Sequence, residues 1–359
     1  MSRVVVVIAA MVSVVIVLCV AAVEAAPATT LPVVSAGFAP RSFTAINDRE
    51  WWVLGSKACG RRRCVAIEHT TNGGASFAPI STPPITPQGG VVPGLAFANR
   101  RDGFAWDKAL WVTRNGGRSW AHATQIGDVD TLIVADGYVY ALAYRGKADD
   151  QLWRSSLDGG PWTRLDTNGY TPEAGGPLAA HGATIILAAS PPLNSLVADQ
   201  YELVSTDRGA QFVAHRLHVG VEGCSGFDAI SGRVIWTYCV PPRHGGQLRR
   251  SVNAGRTFTK VGPPDGQISF GGAFAAASAT TAIVADADEP GFPRKRPYLT
   301  TDAGRHYIAA GPTGLYWIWF GFIDSTHGVA LASRSGLDPL TLFVTTNGGR
   351  SYRPVSFQG

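Results

Sequence analysis

Charge is sparse in this chain: Asp, Glu, Lys and Arg make up 16% of its 359 residues. Long helices with a solvated charged face are therefore unsuited to it, and no long stretch carries the 3.6-residue apolar period of an amphipathic helix. The motifs of several enzyme classes are missing as well. The sequence has no phosphate-binding loop, no dinucleotide fingerprint, no HExxH pair and no EF-hand loop. Gly223-Cys224-Ser225-Gly226-Phe227 only half matches a serine nucleophile elbow, because Phe227 stands where the last glycine belongs. The eight histidines are scattered, with only His215 and His218 close together, and neither close cysteine pair has partners at zinc spacing. No cofactor and no metal are expected. After residue 26, glutamate is confined to Glu50, Glu68, Glu173, Glu202, Glu222 and Glu289.

What is abundant is glycine (42), proline (23) and apolar side chains (45%). That balance suits short strands separated by tight turns. Residues 1–25 read as a signal peptide: Arg3 supplies the positive end, an apolar run covers Val4 to Val20, and Val23 with Ala25 has the spacing of a cleavage site after Ala25. An uncleaved membrane anchor is the alternative. Leu18 stands where a lipidation signal at Cys19 needs a small residue. Export agrees with four further cysteines. Cys59 and Cys64 bracket Gly60 and three arginines, and Cys224 and Cys239 straddle the turn Ser231-Gly232 symmetrically. A two-residue hairpin there places the second pair directly opposite, about 4.5 to 5.5 Å apart at Cα, so two local disulfides are expected.

Residues 26–359 read as one repeat array. An octet, Ser/Thr-x-Asp/Asn-x-Gly-x-x-aromatic, recurs seven times: Thr70 to Phe77, Thr113 to Trp120, Ser156 to Trp162 (one residue short), Ser205 to Phe212, Ser251 to Phe258, Thr300 to Tyr307 and Thr345 to Tyr352. From one key glycine to the next (Gly74, Gly117, Gly160, Gly209, Gly255, Gly304, Gly349) the gaps are 43, 43, 49, 46, 49 and 45 residues. That is the period of a four-stranded propeller blade. A strand-turn-strand element precedes each octet, with turns assigned to Gly103, Gly137, Gly182, Gly232 and Gly328; Asp136-Gly137 is a type I′ hairpin signal. The glycine of the octet supplies positive φ, the Asp or Asn ties down turn N–H groups, and the terminal aromatic packs back between sheets. The predicted fold is an all-β, seven-bladed β-propeller. Its ring is closed either by packing alone or by a latch in which Leu31 to Val34 pairs with the last sheet.

Copies such as TTNGGASF, TRNGGRSW and TTNGGRSY resemble the Asp-box, or BNR, repeats of the sialidase superfamily's propellers. The preceding elements resemble repeats of photosystem II assembly factors of the Ycf48/Hcf136 type. Asn replaces Asp at Asn72, Asn115, Asn253 and Asn347 and still accepts the turn hydrogen bonds. The resemblance implies octets on one face and ligands on the opposite one.

Loop lengths agree with that placement. From turn glycine to octet glycine the distance is 14, 23, 27, 23 and 21 residues in units 2, 3, 4, 5 and 7, so the variation lies between the second and third strands. The candidate binding residues there are Arg61, Arg62 and Arg63; Arg145, Lys147, Asp149 and Asp150; Arg243 and His244; and Asp286, Asp288, Glu289, Arg294, Lys295 and Arg296. Tyr316, Trp317 and Trp319 add aromatics from a loop between blades. These loops are mostly basic, and with net charge +5 the expected partner is a protein or an anionic glycan, not a nucleic acid. A membrane partner is expected only if the N-terminal segment stays uncleaved, and the protein is expected to be a monomer.

The resemblance also raises a sialidase-like or other glycoside hydrolase. A sialidase implies an arginine triad, a Tyr-Glu nucleophile pair and an Arg-Ile-Pro element, and no Arg-Ile-Pro occurs. A different glycosidase could draw on two of Asp149, Asp150, Asp286, Asp288 and Glu289. The leading expectation is an exported, non-catalytic binding or scaffolding module; an assembly factor of the Ycf48 type is a further alternative.

Overall fold

The computed structural model describes residues 37–85, 93–144, 150–192, 200–216, 223–240, 246–262, 273–285, 296–334 and 339–357. They form a seven-bladed β-propeller with no helix among them. Each blade is an antiparallel sheet cut from one consecutive piece of chain: 38–80, 94–122, 128–164, 171–216, 223–260, 274–309 and 316–354. Six sheets have four strands. The fourth has five, because its inner strand is broken into Thr171–Pro172 and Leu178–His181, both paired with Thr184–Ser190. The proposed signal segment lies outside the described residues.

The octet is the turn between third and outermost strands, and it is built identically in six blades. In blade 1 the Thr70 hydroxyl donates to Asn72 Oδ1 (2.8 Å) while accepting the N–H groups of Asn72 (3.3 Å) and Gly74 (3.2 Å); Asn72 Oδ1 also accepts the Ser76 N–H (3.0 Å). Thr113, Ser205, Ser251, Thr300 and Thr345 repeat the hydroxyl-to-Gly N–H bond at 2.8 to 3.0 Å. Asn is a full substitute for Asp, with a compensating change four residues on. Asn72, Asn115, Asn253 and Asn347 donate their amide to a hydroxyl there (Ser76, Ser119, Thr257, Ser351). Asp207 and Asp302 face Gln211 and His306 instead, and His306 Nδ1 lies 2.6 Å from the Asp302 carboxylate.

Each octet is anchored to the turn between its blade's first two strands. The N–H of Gly73, Gly116, Arg208, Ala254, Ala303 and Gly348 donates to the carbonyl of Arg49, Arg101, Ala183, Arg233, Thr280 and Thr326, at 2.8 to 2.9 Å. These donors have positive φ, as does the glycine after each, so two left-handed residues stand in a row. The third octet departs from this. One residue shorter, it puts its positive φ at Gly159 and not at Gly160, and its anchor is Leu157 N–H to Gly137 carbonyl (2.9 Å).

The turns that receive these bonds correct the glycine assignment. Only Gly137 and Gly182 have positive φ there. Gly103 and Gly328 instead begin the second strand, directly opposite Phe97 and Phe322, whose rings would meet an added Cβ at 2.6 and 2.7 Å. In blades 1, 2, 5, 6 and 7 a polar residue shapes the turn. Asn47, Asn99, Ser231, Ser278 and Asp324 each accept two backbone N–H groups two and three residues on. For this reason Cys224 and Cys239 are opposite by a different route. The pairing resumes at Ala229 and Ile235, a five-residue connection, and a bulge at Ser225 restores the register. Both expected disulfides, Cys59–Cys64 and Cys224–Cys239, are formed.

Between blades the faces interdigitate. Trp52, Leu54 and Ile67 of blade 1 meet Leu95, Phe97 and Ala105 of blade 2, with Trp52 stacked between Phe97 and His69 at 4.0 and 4.6 Å. A buried aromatic of this size removes roughly 150–250 Å² from water, about 4–6 kcal/mol at about 25 cal/mol/Å². The octet aromatic enters the seam with the preceding blade, as with Trp120, whose indole N–H donates to Ser81 carbonyl (2.9 Å). Blade 7 meets blade 1 in the same manner, Phe38, Trp51 and Val53 against Val329, Leu331, Leu342 and Val344. Among the described residues no β-ladder joins the two ends; Leu31 to Val34 fall outside them.

In blades 2, 4, 5 and 6 the octet glycine also sits tightly under the preceding blade: a Cβ on Gly209 would lie 2.5 Å from Leu165, whereas one on Gly137, with nearly the same φ, meets nothing within 4 Å. Gly137→Ala should therefore cost only the left-handed strain, about 1–2 kcal/mol, and Gly209→Ala about 2–5 kcal/mol, with overpacking added. Equal falls in Tm for the two variants would show that the close approach contributes nothing.

Candidate binding face

Because the first strand of each blade ends at the turn that holds the octet, it begins on the opposite face. Near that beginning the inner strands are irregular. Arg41, Asp130, Ser225 and Ile318 are bulged out of the pairing of blades 1, 3, 5 and 7. In blade 4 residues 173–177 are looped out, pinned by Glu173 N–H to Ala188 carbonyl (3.1 Å) and Gly176 N–H to Glu173 carbonyl (2.9 Å). A bulge turns one side chain out of the alternation and bends the strand. Five inner strands therefore present non-alternating residues at the same end of the molecule.

Three of the expected groups are described, two of them on this face; the aromatics lie instead in the inner strand Tyr316–Phe322 of blade 7, not in a loop between blades. The tip of the Trp51–Cys59 and Arg62–Thr70 hairpin carries Arg61, Arg62 and Arg63, all exposed and stapled by Cys59–Cys64. Arg63 is committed to the Ser56 side chain at 2.9 Å, which leaves Arg61 and Arg62 facing solvent. Arg296 is exposed at the entry to the third strand of blade 6. Of the aromatics, Trp317 is core: it is 4% exposed and packs on Phe320, Phe343 and Tyr352 at 5.3 to 5.5 Å. Tyr316 is half-buried, whereas Trp319 is 38% exposed beside bulged Ile318 at 48%, and leans toward Phe43 of blade 1 at 6.3 Å.

The fourth lies between blades 3 and 4, in a cleft of about 370 Å³ lined by Asp150, Gln151, Arg164, Asp166, Thr167 and Tyr170. Its floor is rigid. Asp150 is buried and accepts the Gly175 N–H (3.3 Å); Asn168 donates to Phe212 carbonyl (3.0 Å); Tyr170 packs on Tyr201 at 5.0 Å. Partial desolvation, then the carboxylates of Asp128, Asp130 and Asp150, push the Tyr144 phenol up, and burial pushes Glu173 up. The described residues of blades 3 and 4 on this face are thus mostly acidic, with Asp128, Asp130, Asp150, Asp166 and Glu173 against Arg164 and Arg216. Arg145, Lys147, Asp149, Arg243, His244, Asp286, Asp288, Glu289, Arg294 and Lys295 lie outside the described residues.

Sequence reasoning missed two further carboxylates with pKa values near neutrality. Glu202, 1% exposed, is raised to about 7 by burial against the partial relief of Arg249, whose guanidinium is 3.8 Å away, and Cys224 Sγ lies at 3.6 Å. Asp228 is raised to about 7 by desolvation, offset by the Ala276 N–H it accepts at 2.6 Å. Groups of this kind serve as general acids when they face a cleft. Here they join blade 4 to blade 5 and blade 5 to blade 6. Only the apolar patterning around Glu202, YELVS, hinted at its burial.

No protein-family model matches the sequence, and no curated protein matches it. Solved structures do. YCF48 bound to D1 peptide superposes with TM-score 0.57 at 12% identity over 88% of this chain and 95% of that one. The β-propeller domain of the Trilobed protease from Pyrococcus furiosus, described as having an open velcro topology, gives 0.55 at 10% over 89% and 98%. A polysaccharide lyase of family PL25, an ulvan lyase, gives 0.53 at 10% over 89% and 96%. At these identities the likeness establishes the fold.

Raised folded-state pKa values mean that the folded chain holds more protons than the unfolded one between the ordinary carboxylate range and about pH 7. Stability from these groups is therefore complete at low pH and is lost as pH rises through that window. Glu202→Gln should lose less Tm than the wild type between about pH 5 and pH 8; equal losses would show that Glu202 ionises normally.

Proposed function

We propose that this protein is an exported, non-catalytic binding module that engages a protein partner through the loop face, with its octets serving as Asp-box turns of the BNR type. The observation that carries the reading is the set of bulged inner strands at one end of the ring. They bring the arginine tip at Arg61 and Arg62 and the acidic lining of the cleft between blades 3 and 4 onto one face, with exposed Ile318 and Trp319 on the inner strand of blade 7 that leads from it. Such a surface offers an aromatic anchor flanked by charges of both signs, which suits an extended polypeptide. YCF48, one of the superposable propellers, is described bound to a peptide. Export rests on the signal peptide reading of residues 1–25 and on the two disulfides.

The near-neutral carboxylates support a binding role, because Glu202 and Asp228 are each held in contacts between blades. A second reading has one observation in its favour. The cleft holding Asp150 and Asp166 is polar and large enough for a sugar ring, and a polysaccharide lyase shares the fold. On that reading the protein acts on a glycan.

A photo-crosslinker at position 319 of the full chain should capture a protein from the native envelope fraction, and one at position 233, on the octet face, should not. Trp319→Ala should weaken that complex by about tenfold or more, as loss of an aromatic anchor does. Turnover of aryl-glycosides or polysaccharides that disappears in Asp150→Asn or Asp166→Asn would replace this reading with the enzymatic one.

A further inference from the structure

The octet face is described in full, and its charge is not symmetric. Arg49, Arg101 and Arg233 share one position in the turns between first and second strands. Arg118, Arg256, Arg305 and Arg350 share the sixth octet position. All seven side chains are exposed, and none has a carboxylate partner among the described residues. They occupy blades 5, 6, 7, 1 and 2, which are consecutive around the ring. The arc also carries carboxylates, but Asp102, Asp302 and Asp324 lie against Arg114, His306 and His327, and Asp48 stands beside Arg49, so the arginines outnumber them. Blades 3 and 4 break the pattern: they bring Asp136, Asp158 and Asp207 to this face, and their Arg208 is tied to Asp136 at 2.5 Å. The backbone of each arginine turn is fixed by the octet anchor, so the arc is a rigid surface studded with guanidinium groups that lack a carboxylate partner among the described residues.

Exposed aliphatic side chains stand at the octets, two of them on the arc and one beside it. Val252 stands in the octet of blade 5, 52% exposed, two residues from the turn's Ala254 anchor. Ile308, 52% exposed, and Val213, 59% exposed, each begin the outermost strand just after an octet, in blades 6 and 4. A polysaccharide offers such side chains nothing to bury in, whereas a bilayer accepts guanidinium at its headgroups and aliphatic groups just beneath. Arginine is also the side chain best suited to phosphate by its forked geometry.

We propose that the octet face docks on a lipid bilayer bearing anionic phospholipids, with the arginine arc on the headgroup phosphates and Val252 and Ile308 at the acyl boundary. The loop face then points away from the membrane, free for its partner. This association belongs to the propeller itself and differs from tethering by an uncleaved N-terminal segment.

The full chain carrying an environment-sensitive fluorophore at Val252→Cys is mixed with vesicles of phosphatidylcholine alone or with phosphatidylglycerol. A label at Asp166→Cys reports the loop face. The expected result is a blue shift at position 252 only, only with phosphatidylglycerol, and reversed by salt as surface electrostatics requires. Each arginine near an anionic surface contributes roughly a fivefold factor, so Arg233→Glu/Arg256→Glu/Arg305→Glu should weaken partition by on the order of 100-fold or more. The matching lysine variant, which keeps the charge and tests that the surface tolerates substitution, should stay within roughly tenfold of wild type. A shift at position 166 and not at 252, the same shift with both lipids, or binding to an anionic polysaccharide without binding to the vesicles would each overturn the proposal.

Discussion

The constraint on which the molecule depends is a single hydrogen-bond unit used in six of the seven blades. A buried Ser or Thr hydroxyl, such as Thr113 at 1% exposure, donates to an Asn or Asp and accepts the N–H of a glycine four residues on. The residue before that glycine, in left-handed conformation, then donates to the blade's other turn. The unit locks both hairpins of a sheet at one end and leaves nothing there free to vary. In blades 2, 4, 5 and 6 it also lowers the glycine onto the preceding blade, so the geometry of the turn sets how closely those blades approach. Blade 3 shows that the anchor tolerates a shorter turn when a different glycine, Gly159, takes the positive φ.

With one end locked, variation is directed to the other. The inner strands begin there with bulges at Arg41, Asp130, Ser225 and Ile318 and with the looped segment of blade 4. These irregularities are local because the octet end holds the register of each sheet. The two faces consequently have different chemistry: a mixed, pocketed one, and one of repeated turns that carries arginines on five consecutive blades.

The seams between blades absorb the polar groups that would otherwise look catalytic. Glu202, Arg249 and Cys224 meet between blades 4 and 5, and Asp228 caps the Ala276 N–H between blades 5 and 6. Glu50, 4% exposed, holds Arg100 of the next blade and His69 of its own. Desolvation raises the carboxyl pKa of Glu202 and Asp228, and the physical result is a seam whose strength depends on pH.

The octets and their spacing determined the number of blades and the strand order from sequence alone, because a local turn needs particular residue types at fixed offsets; the cysteine pairs were legible from their closeness in sequence, although Cys224 and Cys239 meet through a longer connection and a bulge. The same locality explains what was misread. Gly103 and Gly328 looked like turn glycines, yet each lies opposite a phenylalanine on the neighbouring strand, and cross-strand partners are not written in either segment by itself. Trp317 and Trp319 differ by two positions and by nothing else in the sequence, but the bulge at Ile318 buries one and exposes the other. Four of the arc's seven arginines were visible as a repeated octet position. That all seven form one uninterrupted arc, with Val252 and Ile308 on it, was decided only by the closure of the ring, which places blade 7 beside blade 1.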